Sequence, residues 1–172
     1  MNLQSNDFEL FGLTQQFVQD RATLDARWKE LQREAHPDKF AAQGDAAQRV
    51  AMQWSVRINE AYQRLKDPLK RAAYLCELAG SPINAHSNTA MPAAFLMQQM
   101  QWREELDEAG SDESLNTLRE NVDAAQRTLL GECAKLIDGQ GDYAGAVQSV
   151  RSLMFIEKFG HDLDLAFEKL EI

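Results

Sequence analysis

Apolar positions recur at intervals of three and four along most of this 172-residue chain, the period of amphipathic helices, and no stretch alternates convincingly at the period of a strand. Between Asp20 and Ala35, the residues Leu24, Trp28, Leu31 and Ala35 share one face, and Asp20 stands where a cap is wanted. On the same helix Lys29 and Arg33 fall four apart on the solvent side. A second stripe, Val50, Trp54, Ile58, Ala61, Tyr62 and Leu65, runs over residues 45–66 and stops at Asp67, because Pro68 disfavours helical geometry in the residue before it. The two stripes predict an antiparallel pair. A short helix near the start presents Phe8 and Phe11, and another over 69–79 brings Tyr74 and Leu75.

Gly80, Pro82 and Pro92 gather with small polar residues in "AGSPINAHSNTAMP", which predicts a linker over 81–91. Three longer helices are expected beyond it, over 92–109, 112–137 and 142–169. The second carries Leu115, Leu118, Val122, Ala125, Leu129 and Leu136 near a heptad rhythm, and the third carries Val147, Val150 and Met154. The fold class is all-α: residues 1–80 form a helix hairpin with short flanking helices, and residues 92–172 form a three-helix bundle.

The first helix of the bundle has two apolar faces. At 100° per residue, Phe95, Trp102 and Leu106 lie within about 20° of one direction and suffice as a core stripe. Leu96, Met97 and Met100 lie on the opposite side and are continued by Glu104 and Glu108. An apolar patch with an acidic border suits a partner surface, and methionine suits adaptable contacts; the plainer alternative is that another part of the chain covers it.

Composition narrows the class. A 44% apolar content supports packed cores, no apolar run is long enough to span a bilayer, and the opening residues, with Asp7 and Glu9 and no basic residue before Arg21, read as neither secretory signal nor transit peptide. Cys76 and Cys133 stand 57 residues apart in apolar surroundings, as buried free thiols do in a reducing compartment, so a cytoplasmic location is expected. The net charge of −9 is uneven: residues 1–80 hold 11 Lys/Arg against 11 Asp/Glu, and residues 81–172 hold 7 against 16. Such a chain offers little to a polyphosphate backbone, and no nucleic-acid or membrane partner is expected.

The chemistry-bearing stretch is "REAHPDKF", with His36, Pro37 and Asp38 between the first two long helices. A zinc site would need three or four ligands, and His86 and His161 are remote with no paired spacing. An acid/base pair would need a pocket and an orienting group. Alternatively, Pro37 merely ends one helix and Asp38 caps the segment after it.

The surrounding residues carry more. Asp7 and Phe8 through Leu13, then Leu24 to Ala35, His36-Pro37-Asp38, Ala61-Tyr62, Leu65, Asp67-Pro68, Arg71 and Tyr74 together resemble the J domain. With "FELFGL", "HPDKF", "AFLM" and "REELDE", the resemblance extends over nearly the whole chain to the HscB family, J-type co-chaperones of bacterial iron–sulfur cluster assembly. Neither a Gly/Phe-rich segment nor a cysteine-rich zinc module is present, as they would be in general J proteins of protein folding, which are the alternative. The chain departs from the family pattern at Ala35, where a tyrosine is usual, at Gln101, where an acid is usual, and at Met100, where leucine is common.

The resemblance implies a bridge rather than an enzyme. His36, Pro37 and Asp38 would stimulate the ATPase of a DnaK-type chaperone, HscA, with Lys29 and Arg33 as basic contacts. Leu96, Met97, Met100, Glu104, Glu108 and Phe155 would hold IscU, the scaffold on which clusters are built. No cofactor or metal is expected in the chain itself, since two distant cysteines cannot supply the four ligands usual for a cluster, and a monomer is expected.

Overall fold

The computed structural model describes residues 2–84 and 91–172, and all regular structure among them is helical. His86 and the middle of the expected linker lie outside the described residues. The chain divides into two compact units, Met1–Leu75 and Cys76–Ile172.

In the first unit, helix α1 (Asp7–Phe11) opens with a capping box in which Asn6 accepts from the Glu9 N–H and the Glu9 carboxylate accepts from the Asn6 N–H. Gly12 closes it at φ 64°, a left-handed turn that a side chain would strain. Helix α2 (Arg21–Glu34) starts as expected, with the Asp20 carboxylate accepting from the Thr23 N–H. A 3-10 turn (Pro37–Gln43) leads through Gly44, at φ 96°, into α3 (Asp45–Lys66). Asp67 is extended, as proline after it favours, and its carboxylate accepts from the Leu69 and Lys70 N–H groups at the start of α4 (Pro68–Leu78), whose residues from Cys76 on belong to the second unit.

Helices α2 and α3 run antiparallel, and their polar rim records the register. Gln32 bonds Ser55, Trp28 bonds Asn59, and Asp25 bonds Tyr62, so the partner number rises as the first falls. Behind this rim Phe8, Phe11, Leu24, Leu31, Ile58 and Leu65 are fully buried. Val50 is not part of that core, being 51% exposed; Ala51 is buried instead. Eight residues turn a helix by about 80° and seven by about 20°, so with Ile58 at the centre of the stripe Val50 drifts to its edge and Ala51 faces inward.

Asp7 is wholly buried, which calls for compensation. Arg64 donates to both its oxygens, at 2.6 and 2.9 Å. Arg57 Nη1 lies 2.8 Å from Asp7 Oδ1 as a charge contact outside hydrogen-bond alignment. Tyr74 Oη accepts the Asp7 N–H, so α1 is tied to α3 and α4 through one residue.

The second unit packs α5 (Ala93–Glu108), α6 (Asp112–Ala134) and α7 (Tyr143–Leu170) around Trp102, Leu115, Leu118, Val122, Ile156, Phe159 and Leu163. Trp102 stacks on Phe159 with ring centroids 5.8 Å apart. The expected helix over 112–137 gives way at Lys135–Gly139 to a π turn. The wider winding rotates the chain, so Ile137 is buried and Leu136, expected in the stripe, is half-buried. Arg151 on α7 donates twice to the Ile83 carbonyl, at 2.9 and 2.7 Å, fixing the chain just after α4. Cys76 and Cys133 are buried and unpaired, and burial pushes their thiols up to about 11 and about 12.

Candidate functional site

Helix α2 ends because its next residues cannot continue it. Ala35 donates to the Leu31 carbonyl, and His36 is extended at φ −65° and ψ 128°, as Pro37 requires. Pro37 then occupies the first position of the 3-10 turn, where its missing N–H costs nothing. The cap of this turn is His36, whose Nδ1 accepts the Asp38 N–H at 3.3 Å; Asp38 does not cap the turn. The Asp38 side chain is 91% exposed, with Oδ2 3.6 Å from His36 Nδ1. A ring and a carboxylate thus stand side by side at an open corner.

Lys29 and Arg33 are both exposed on α2, and among the described residues neither has an acidic group within ion-pair distance. Arg21 and Arg27 on the same helix are neutralised, by Asp25 at 2.9 Å and Glu30 at 2.7 Å. The two cations without a salt bridge therefore stand on the last two turns before His36, with Lys29 still close enough to Asp25 to help hold its carboxyl down.

Gln32, Ser55 and Asn59 join the corner to α3, and apolar periodicity does not single them out. Gln32 Nε2 donates to Asn59 Oδ1 at 2.6 Å, Gln32 Oε1 accepts from Ser55 Oγ at 2.9 Å, and Trp28 Nε1 donates to the same Asn59 oxygen at 3.0 Å. Their only sequence signal is a polar residue at the border of each apolar stripe. Further from the corner the Tyr62 hydroxyl donates to Asp25 at 2.6 Å and, with Arg21, holds that carboxyl below the usual range, while the tyrosine itself is pushed up.

On the second unit, Leu96, Met97, Met100 and Phe155 are exposed, Met97 and Met100 at 70% and 67%. Glu104 and Glu108 are both exposed along the same helix. Phe95 and Leu106 are partly buried on Trp102's side, so α5 is anchored by one face and bare on the other. Phe155 comes from α7 and lines with Met100 and Glu104 an open groove of about 460 Å³ floored by Trp102, Ile156 and Phe159. Arg103 and Lys158 also line it, and neither carries a signal in the sequence that sets it apart from other surface cations. Arg103 is fixed there, donating to Asp162 at 3.0 Å with its guanidinium 5.2 Å from the Phe159 ring centre.

Among the described residues no three His, Cys, Asp or Glu side chains gather as a metal would require, and no helix is long and apolar enough to cross a membrane. The geometry at both sites suits contact with other macromolecules.

Residues 91–164 match the family model described as the HSCB C-terminal oligomerisation domain. The co-chaperone protein HscB homolog of Burkholderia thailandensis is 46% identical over 99% of each chain, and that of Burkholderia multivorans is 45% identical over the same shares. The chain belongs to the HscB family of co-chaperones. Among solved structures, chaperone HscB from Vibrio cholerae superposes with a TM-score of 0.82 at 36% identity, over 96% of this chain and 99% of that one. Human co-chaperone HscB superposes with a TM-score of 0.91 at 26% identity, over 100% of this chain and 86% of that one. The all-α architecture and the membership expected from "HPDKF" and "REELDE" both stand on these relatives.

Proposed function

We propose that this chain serves iron–sulfur cluster assembly by delivering the scaffold IscU to the DnaK-type chaperone HscA and stimulating its ATPase. Residues 1–80 act as the J domain, residues 92–172 hold the scaffold, and the protein works in the cytoplasm as a monomer. The observation that carries the reading is the open corner at His36-Pro37-Asp38 beside the exposed cations Lys29 and Arg33, in a chain so close to known HscB co-chaperones.

At that corner Pro37 removes backbone freedom, so presenting His36 and Asp38 costs little further entropy on binding. An exposed carboxylate can accept charge-assisted hydrogen bonds from an arginine of the chaperone. Lys29 and Arg33, exposed and in no salt bridge, steer and orient more than they bind. The bond broken in ATP lies wholly in the chaperone. On α5 the methionines supply adaptable apolar area, and Glu104 and Glu108 select a basic rim on the scaffold.

The test is steady-state ATP hydrolysis by HscA with and without IscU. Wild type is expected to stimulate, Asp38→Ala to abolish stimulation with the fold intact, and Met97→Ala to lose only the part that depends on IscU. A wild-type protein that leaves the rate unchanged would end the reading.

A further inference from the structure

We infer that Asn59 and Gln32 are positioning residues for the His36-Pro37-Asp38 corner, an inference that rests on the function proposed above. The corner meets α3 through its 3-10 turn, where Pro37 and Phe40 are half-buried. That turn contributes no fully buried residue, and its exit, Gly44, adds no side chain. The last polar cross-link before His36 is the Gln32 amide, one turn back, which donates to Asn59 Oδ1 at 2.6 Å and to the Ser55 carbonyl at 3.3 Å. Ser55 Oγ closes the set by donating to Gln32 Oε1 at 2.9 Å.

One oxygen does most of this. Asn59 Oδ1 receives both the Gln32 amide and the Trp28 indole N–H, at 2.6 and 3.0 Å, so two successive turns of α2 are drawn to one point on α3. The Trp28 ring is held from the other side by stacking on Tyr62, with centroids 4.6 Å apart. These contacts lie at the exposed rim, where hydrogen bonds stabilise a fold weakly. Apolar burial behind them is non-directional, whereas hydrogen bonds weaken steeply with angle. The rim therefore sets where the end of α2 sits, and with it the bearing of His36, Asp38, Lys29 and Arg33.

The donor count selects the variants. Asn59→Asp keeps an acceptor for both donors, Asn59→Leu removes it, and Gln32→Met removes the Gln32 bonds while leaving the Trp28 bond to Asn59. Stimulation of HscA is titrated with each full-length variant, at a temperature where circular dichroism shows all of them folded. A misaimed corner can still be bound in the correct pose at the expense of affinity, so Asn59→Leu and Gln32→Met are expected to raise the half-saturating concentration about tenfold with the maximal rate kept. Asn59→Asp is expected to match wild type.

The inference is overturned if Asn59→Leu titrates like wild type, if Asn59→Asp fails alongside it, or if the maximal rate falls with the half-saturating concentration unchanged. Should Asn59→Leu not fold, Gln32→Met decides alone by the same criteria. Failure of the wild type to stimulate HscA removes the proposed function and this inference with it, whereas failure of the variants to differ removes only this inference.

Discussion

The two units hold the surfaces proposed for partners in opposite ways. The hairpin of α2 and α3 lines its rim with directed bonds, Gln32 and Trp28 to Asn59 and Tyr62 to Asp25, and ends in a charged corner with little apolar area. The bundle of α5, α6 and α7 is organised around an apolar cluster of Trp102, Leu115, Leu118 and Phe159, and exposes apolar side chains on α5. A few charges recognise a partner only if they point the right way, because hydrogen bonds weaken steeply with angle. An apolar patch recognises by area and tolerates sideways movement. Aim is thus built into the first unit and adaptability into the second.

The largest expected effect tests whether one buried ion cluster organises the first unit. Asp7→Ala removes the wholly buried carboxylate shared by Arg57 and Arg64, whose side chains are 17% and 40% exposed, and should cost about 3 kcal/mol. Amide hydrogen exchange resolved by residue would show protection lost across residues 1–75 and kept in α6 and α7. Equal loss in both units would erase the contrast. Leu118→Ala is the matching cut in the second unit, a cavity in a closed apolar cluster, also worth about 3 kcal/mol but appearing in α5, α6 and α7.

What the sequence makes legible tracks this contrast. Apolar periodicity locates the helices, because burial of one face dictates it, and it separates Trp102's side of α5 from the side of Met97 and Met100. It also exposes Lys29 and Arg33. It cannot find the Gln32–Asn59 rung, since polar residues at a stripe's border look alike whether they bond across the hairpin or face water. It misses the π turn at Lys135–Gly139 because one inserted residue leaves a heptad pattern nearly intact while rotating Leu136 away and Ile137 inward. Val50 misleads for a related reason: an apolar residue at the edge of a stripe counts in the pattern and not in the core. Phe155 comes from family resemblance alone, as nothing in the spacing on α7 sets it beside Met100.

A smaller effect sharpens the contrast through pH. Burial raises the Cys76 and Cys133 thiols to about 11 and about 12, from an ordinary value of 9.0. Below pH 9 both states keep the protons and stability is unaffected. Above it the unfolded chain releases them while the fold does not, so stability falls as pH rises from 9 toward 12. Both thiols belong to Cys76–Ile172, so the alkaline loss should register in the exchange of α6 and α7 first. Replacing both cysteines with alanine should remove this part of the pH dependence, and an unchanged alkaline slope would assign it elsewhere. In the first unit the Asp25 carboxyl gives the opposite sign, while its partner Tyr62, pushed up, shares the sign of the thiols. The carboxylate is held below the ordinary range, so what it contributes is present above that range and lost as pH falls through it.

The smallest expected effect on stability is also the most telling. Met97 is 70% exposed and no part of the cluster around Trp102, so Met97→Ala removes little buried area and should shift the unfolding free energy by less than about 0.5 kcal/mol. If α5 instead depended on its outer face, the loss would approach the roughly 2–5 kcal/mol typical of a core methionine, about what Leu118→Ala should give. Binding distinguishes the surfaces in the same variant. Isothermal titration with IscU should weaken about tenfold or more, because a protruding side chain at the centre of a patch carries a disproportionate share of the affinity. A variant as stable as wild type that binds IscU equally well would leave the patch without that use. One destabilised along with its binding would make the outer face of α5 part of the fold.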